Sequence, residues 1–348
     1  MRGQVSSTLE KPVQPLARTT GSLCGGYPRR VSSGPGCRVT VSAAGLLAGV
    51  IVDQCVGDPR RGHPVALFGR AATRLERAMW RDDRAAGGAY AAVLVGGAVG
   101  LGLLLGRGSA RTLFAATAAG TWAALGSRSL FDEAGTVDAH LGRGDLPSAR
   151  RQLTHLVGRR TDELDEPEIA RAVIESVAEN TSDAVIAPLF WGAAAGLPGL
   201  LGYRAINTLD AMVGHHNPRY ENFGWASARA DDIVNYIPAR LTAMLTAVAA
   251  PLVGGRTREV VSVVRRDGRR HPSPNAGMTE AAFAAALGVR LGGRNEYGTR
   301  VEERPVLAAA GRAPVAADLE RAVRLGRSIS FGAAAVCAGL RLLRRRRR

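Results

Sequence analysis

The sequence predicts an all-α fold, a polytopic integral membrane protein with four to six apolar segments joined by polar cytoplasmic loops. The first observation is a run of 22 uncharged positions, residues 85–106, between Arg84 and Arg107. As a helix this run is long enough to cross a hydrocarbon core of ~30 Å. The second is that it has company: uncharged runs of 16 and 20 residues lie at 112–127 and 184–203, with shorter ones at 39–52, 241–255 and 328–340. A single run of about 10–14 apolar residues more often means a buried core helix. Six in one chain favour a bilayer, where a helix pairs its own backbone polar groups. The third is that the runs are rich in Gly and Ala, which let helices approach closely.

In chain order, residues 1–42 carry six basic side chains and one acid among Gly, Pro and Ser, with no apolar stretch. They read as a disordered basic extension and not as a secretory signal. Insertion then falls to a first apolar helix over 41–57. The helical membrane domain is set at 43–343, and residues 344–348 form a basic tail suited to anionic headgroups. Loop charge gives a mixed orientation: 54–84 sums to +3, 128–183 to −5, 256–327 to +6 and 341–348 to +6. Were all six runs to cross, the two most basic regions would face opposite sides. One short run, 328–340 or 241–255, is therefore expected to lie along the surface or turn back.

The net charge of +16 over 348 residues invites a nucleic-acid reading, but aromatics are only 5% and no run interleaves them with basic residues. Single-strand stacking platforms need that pattern, so no nucleic-acid partner is expected. The only lysine, Lys11, lies in the N-terminal stretch, which excludes a phosphate-binding loop with its lysine. Cys24, Cys37, Cys55 and Cys337 form no CxxC pair, so structural zinc is not expected.

The sharpest polar pattern places Glu175, Glu179 and Asp183 at i, i+4 and i+8, one stripe of a helix. Like charges at that spacing oppose one another, and Arg171 at i−4 balances only one end. The stripe runs straight into the apolar stretch from residue 184, where unpaired charge is costly. A hard cation such as Mg²⁺, or the ammonium of an amine substrate, would balance it; a solvated helix face is the plainer alternative. Beyond that stretch come Asn207 and Asp210 at i, i+3, the pair Asp231 and Asp232, and Arg204, Arg219 and Arg229. Arginine grips phosphate where no phosphate-binding loop exists. Asp53 ends an apolar helix, Asp58 reads as a turn former before Pro59, His63 before Pro64 has an unspecific context, and His215 and His216 read as loop residues. Residues 269–295 read as a Pro-rich loop and then a helix ending in Gly292 and Gly293. There Ser273 and Asn275 suit either a helix cap or, beside Arg269 and Arg270, an anion.

Five strings in order, GDPRRGHPV, ESVAENTSDAVIAPLFW, GYRAINTLDAMVGH, RYENFGWASARADD and SPNAGMTEAAFAAALGVRLGG, resemble the adenosylcobinamide-phosphate synthase family of cobalamin biosynthesis. The resemblance covers roughly residues 44–330; the N-terminal extension and basic tail lie outside it. It implies a multi-pass enzyme of the cell inner membrane, its active site facing the cytoplasm. Such an enzyme joins a propionate carboxylate of adenosylcobyric acid, a corrinoid, to (R)-1-amino-2-propanol or its O-phosphate. Amide formation is uphill in water unless the oxygen leaves as phosphate, so ATP and Mg²⁺ are implied. On this reading Glu175, Glu179 and Asp183 hold metal or amine together with Asp210, and Asn180 and Asn207 orient substrate. Arg219 and Arg229 grip phosphate, Ser273 and Asn275 contribute to substrate binding, and Asp231 or Asp232 is the base.

That assignment carries a geometric demand. A straight helix over 184–203 would hold Asp183 and Asn207 ~30 Å apart. The segment, interrupted by Pro188 and Pro198, is therefore expected to bend or re-enter. The rival readings are a transporter whose polar path includes Asp53, Glu179 and Asp183, a transferase acting on a lipid diphosphate, and a membrane scaffold for other cobalamin-pathway enzymes.

Overall fold

The computed structural model describes residues 35–343 apart from 60, 216, 298 and 299. Most of the expected N-terminal extension, His216 and the tail at 344–348 lie outside the described residues. Residues 35–42, expected to belong to the extension, instead open the first helix, α1 (Pro35–Val56). It is followed by α2 (Pro64–Met79), α3 (Arg84–Gly106) and α4 (Ala110–Ala124). Then come α5 (Ser127–Leu141), α6 (Leu146–Leu153) and α7 (Glu166–Thr181). Helices α8 (Ala187–Val213), α9 (Trp225–Ala249), α10 (Thr257–Asp267) and α11 (Ala276–Leu287) follow. A two-stranded antiparallel hairpin, β1 (Leu291–Tyr297) and β2 (Arg300–Leu307), precedes the last helix, α12 (Ala317–Leu343).

Helix ends are stopped by identifiable groups. Asp83 Oδ2 accepts the Ala86 N–H at 3.0 Å to start α3, and Arg38 covers the carbonyls of Gly106 and Gly108 at its far end. Helix α7 opens with a reciprocal capping box between Asp165 and Glu168, both bonds 2.9 Å. Helix α1 lies against α4 at Gly45 and Gly49. A Cβ on Gly49 would come 2.4 Å from that of Thr121, so only a small-xxx-small face permits this approach.

Four segments are long and apolar enough to cross a membrane: Cys37–Val56, Arg84–Gly106, Glu166–Val213 and Trp225–Val253. Their outer faces carry Leu104, Ile233, Met244 and Val248, each more than 60% exposed. Leaving such a side chain in water forgoes roughly 1.5–3 kcal/mol, which marks these stripes as lipid-facing. The chain is a predominantly helical polytopic membrane protein. The 112–127 run is the 15-residue α4, and 328–340 is the C-terminal half of α12.

The third segment is not a straight rod. A π-turn at Ser182–Ile186 separates α7 from α8, and α8 breaks at Gly196 (φ 71°, ψ −155°). That conformation is essentially open to glycine alone. Pro188 follows the π-turn within continuous helix, and the Ala184 carbonyl it cannot bond accepts the Gly126 N–H at 3.3 Å; Pro198 lies just after the break. Arg341 of α12 donates to the carbonyls of Gly192 (3.2 Å) and Ala193 (2.8 Å), capping the half-helix before the hinge. The second half then returns far enough for the Tyr203 hydroxyl to reach the Asp183 carbonyl at 2.8 Å. The expected bend is present, and its break falls at a glycine, not at a proline.

The hairpin departs from expectation. Helix α11 stops at Leu287 because Gly288 takes the left-handed cap conformation, φ 71°. Gly292 and Gly293 are not a helix end: they form the bulge that opens β1. Below the hairpin, the largest core joins α5, α7, α11 and α12, with nearly all of α11 buried.

Asp318 anchors α12. Its carboxylate is 1% exposed, ion-paired with Arg312 and Arg321 (both 2.6 Å), and accepts the Val315 N–H. Burial raises its pKa, but the two guanidiniums and the N–H hold it below the ordinary 3.8. The stability it contributes is therefore complete above that value and lost as pH falls through the lower folded one. Replacing Asp318 by Ala should cost about 1.5–3 kcal/mol, read as a lowered melting temperature at pH 7 and a flatter acid limb of stability against pH.

Candidate functional site

The segment following the hinge brings distant acids together. Around Asp183 lie Asp231, Glu179 and Asp210 within electrostatic reach, and Asp210 in turn feels Asp231, Asp232 and Glu179. These side chains come from α7, the π-turn, the returning half of α8 and the first turns of α9. π-Turns recur at functional sites because the wider turn re-aims a side chain; here it carries Asp183. Asp231 is held by two amides, Asn207 Nδ2 (3.4 Å) to Oδ1 and Asn235 Nδ2 (2.9 Å) to Oδ2. Tyr203 Oη shares its proton between the Asp183 carbonyl and Asn235 Oδ1. The floor is thus a fixed network under a set of carboxylates.

Glu179 joins this set to a second pocket of about 130 Å³, lined by Arg159, Glu175, Asn180, Glu280 and Arg304 among others. Glu175 does not stand open there. It pairs with Arg159 (2.9 Å) and Arg171 (3.7 Å) and accepts the Gly292 N–H at 2.9 Å. Together with Arg171, whose guanidinium reaches the Gly292 and Arg294 carbonyls, it staples β1 to α7. Asn180 donates to the Ser176 carbonyl at 2.9 Å.

Glu280 is the residue the sequence reading missed. It is 1% exposed, and neither carboxyl oxygen has a hydrogen-bond partner among the described residues. His271 Nε2 stands 3.9 Å from its Oε1, while His271 Nδ1 accepts the Ser273 N–H at 3.0 Å. Burial pushes the Glu280 carboxyl well above the usual carboxylate range, and burial pulls His271 down. The signal was present: one carboxylate in an Ala-rich apolar run is a charge that needs a reason.

Not every expected residue joins the centre. The placement of Arg219 corrects the expected phosphate grip. It pairs with Glu76 at 3.1 Å and stacks 4.9 Å over Trp80, with Tyr220 Oη donating to the same Glu76 oxygen at 2.9 Å. Arg229 does stand by the site, exposed, 3.7 Å from Asp232. Ser273 takes the capping option, its Oγ accepting the Ala276 N–H at 3.2 Å. Asn275 braces α9 against α11, accepting from Arg240 (2.9 Å) and donating to the Asp232 carbonyl (2.8 Å). Asp53 is buried at the end of α1, bonded to Ser127 and to Gln54. Asp58 pairs with His63 at 3.3 Å, and His63 caps α2.

For a metal, the donors are all hard oxygens, which suits Mg²⁺ or Ca²⁺ and not a soft ion. Among the described residues no three such groups already sit in a ligating arrangement. A cation here would have to keep water or phosphate oxygens in its shell, as Mg²⁺ commonly does.

Fold and site together define a polytopic helical membrane protein whose bent α7–α8 segment gathers carboxylates from separate elements into one partly exposed cluster. The chain belongs to the family described as CobD/Cbib protein, which it matches over residues 46–326, and so has a role in cobalamin biosynthesis. It is 52% identical over 305 residues to the Mycobacterium tuberculosis (H37Rv) protein named "Cobalamin biosynthesis protein CobD", covering 87% of this chain and 97% of the relative. Proteins of the same name from Rhodobacter capsulatus (44% over 303 residues, 83% and 94% covered) and Geobacter metallireducens (45% over 277, 77% and 87%) are also similar. No solved structure matches.

Proposed function

We propose that this protein is an ATP-dependent amide ligase, an adenosylcobinamide-phosphate synthase that joins (R)-1-amino-2-propanol or its O-phosphate to the propionate carboxylate of adenosylcobyric acid. The single observation that carries this reading is the convergence of Glu179, Asp183, Asp210 and Asp231 within electrostatic reach of one another, Glu179 exposed and the other three half-buried. Such a concentration of negative charge opposes folding unless a cationic group binds there. An aminoalcohol entering as its ammonium, and a divalent cation arriving with nucleotide, are cationic partners of the right chemistry.

Glu179, Asp183 and Asp210 would hold Mg²⁺, and ATP would supply the phosphoryl group that turns the carboxylate oxygen into a leaving group. The chain's own residues do the rest. Asp231, oriented by Asn207 and Asn235, accepts the ammonium proton so that the amine attacks as a neutral nucleophile. Arg229 at the rim meets phosphate oxygens. Glu175 holds the hairpin over the second pocket, and Glu280 with His271 keeps an exchangeable proton there, out of water. The site faces the cytoplasm of an inner-membrane protein on this reading.

The test is direct. The purified protein in phosphatidylcholine vesicles, given adenosylcobyric acid, the amine and Mg·ATP, is expected to form the amide with one ADP and one phosphate per product. No product from the pure chain, with product restored by added pathway enzymes, would instead make it a scaffold. Within the same assay, Glu280→Gln should fold normally, because it mimics the neutral acid that burial favours. It should lower kcat by about 10²–10⁴ and remove one limb of the pH–rate profile; an unchanged profile would exclude Glu280 from proton transfer.

A further inference from the structure

A groove of about 380 Å³ lies between α2, α3, α4 and α8, outside the carboxylate centre. Val65, Phe68, Leu94, Leu101, Leu201 and Ala205 make its walls apolar. It runs along α3, a segment long and apolar enough to span the bilayer, from Val93 to Leu101, about 12 Å of helix. Val93 and Leu101 are each more than half exposed, so the groove opens toward lipid. Its volume is within the range of about 300–1,000 Å³ usual for ligand pockets.

One end of this apolar groove is cationic. Arg204 lines it, sunk in the protein, and among the described residues forms no ion pair. Its Nη1 donates to Asn207 Oδ1 at 3.2 Å, and its Nε is buried without a partner. Asp58 and Asp183 lie within electrostatic reach, but Asp58 is paired with His63. Pro64 and Val65, at the start of α2, also line the groove, but the Val65 N–H is already taken by His63 and the Asp58 carboxylate lies beside it. A guanidinium without a carboxylate at membrane depth is costly. Arg204, with its buried Nε left without a partner, therefore asks for an anion in a channel that otherwise asks for hydrocarbon.

We propose that this groove binds an anionic phospholipid, its phosphate on Arg204 and an acyl chain along Leu94, Gly97 and Leu101. The groove adjoins the proposed ligase centre through Arg204 and Asn207, but lipid retention is read without turnover, so the two readings fail independently. It also gives an enzyme of water-soluble substrates a reason to sense its membrane. Gly97 provides the control, because a Cβ there meets nothing within 4 Å. Gly97→Phe projects a ring into the groove from a position where the added Cβ is unobstructed.

The experiment is native mass spectrometry of the full chain released from nanodiscs of phosphatidylcholine with or without phosphatidylglycerol. The expected result is one retained phosphatidylglycerol, preferred over phosphatidylcholine by about five- to tenfold. Arg204→Gln should abolish the preference and Gly97→Phe the retention, while excess inorganic phosphate leaves both intact. Equal retention of the two lipids, or retention unaffected by Gly97→Phe, would overturn the proposal. So would displacement by inorganic phosphate, which would mark a free-anion site. Should Arg204→Gln fail to fold, Gly97→Phe alone decides.

Discussion

Asp183→Asn is expected to abolish amide formation, by about 10²–10⁴-fold in kcat, while leaving the protein inserted and as stable as the parent or more so. The sign of the stability effect follows from the setting. Asp183 faces Asp231, Glu179 and Asp210, and removing one of several like charges relieves repulsion. A residue kept for packing would behave in the opposite way, with stability lost and activity following it. Glu179→Gln should repeat the pattern, because Glu179 stands between the two pockets. Thermal melts alongside product assays check both variants. Near-normal turnover in either would remove the carboxylate centre from the chemistry.

Gly196→Val should be the most damaging substitution in the fold. Its φ of 71° with ψ −155° costs a side-chain-bearing residue about 1–3 kcal/mol or more, and a Cβ would also approach Arg341 Nη2 to 3.0 Å. The alternative open to the chain is to straighten α8, which would draw Tyr203 and Asn207 away from Asp183. Both folded yield and activity should fall together, unlike the Asp183→Asn result. The yield of monodisperse protein after detergent extraction and the melting temperature measure the first, and the product assay the second. A variant with parental yield and activity would mean the hinge does not set the site.

Much of this was legible in the sequence because it follows from charge and apolar length. The runs at 85–106 and 184–203 announced the bilayer, and the requirement that Asp183 and Asn207 share a site forced a turn in 184–203. The position of that turn was less legible. Two prolines marked the stretch, yet both occupy places where proline is tolerated, and a lone glycine among many makes the break. The hairpin was hidden for a related reason: GVRLGG continues the apolar helix that precedes it, and β1 and β2 are too charged to show an alternating pattern.

Within the site, what could be read was residue type; what could not was long-range pairing. Arg219 looked available because Glu76, its partner, is 143 residues away. Glu175 belonged to a carboxylate stripe, but the arginine that pairs with it at 2.9 Å, Arg159, lies on a preceding loop. Asn235 and Tyr203 carry no charge and drew no notice, although they hold Asp231 and Asp183 in place.

The central claim is that the segment between Asp183 and Asn207 folds back so that both flank one site. The most direct measurement is labelling of Asp183→Cys and Asn207→Cys, each in a chain with its native cysteines replaced by serine, in sealed vesicles of known orientation with a membrane-impermeant maleimide. Both positions are expected to react from the same side, and to be protected together by Mg·ATP with the amine. Reaction from opposite sides would contradict the account, because a segment that crosses the membrane cannot bring these residues into one centre.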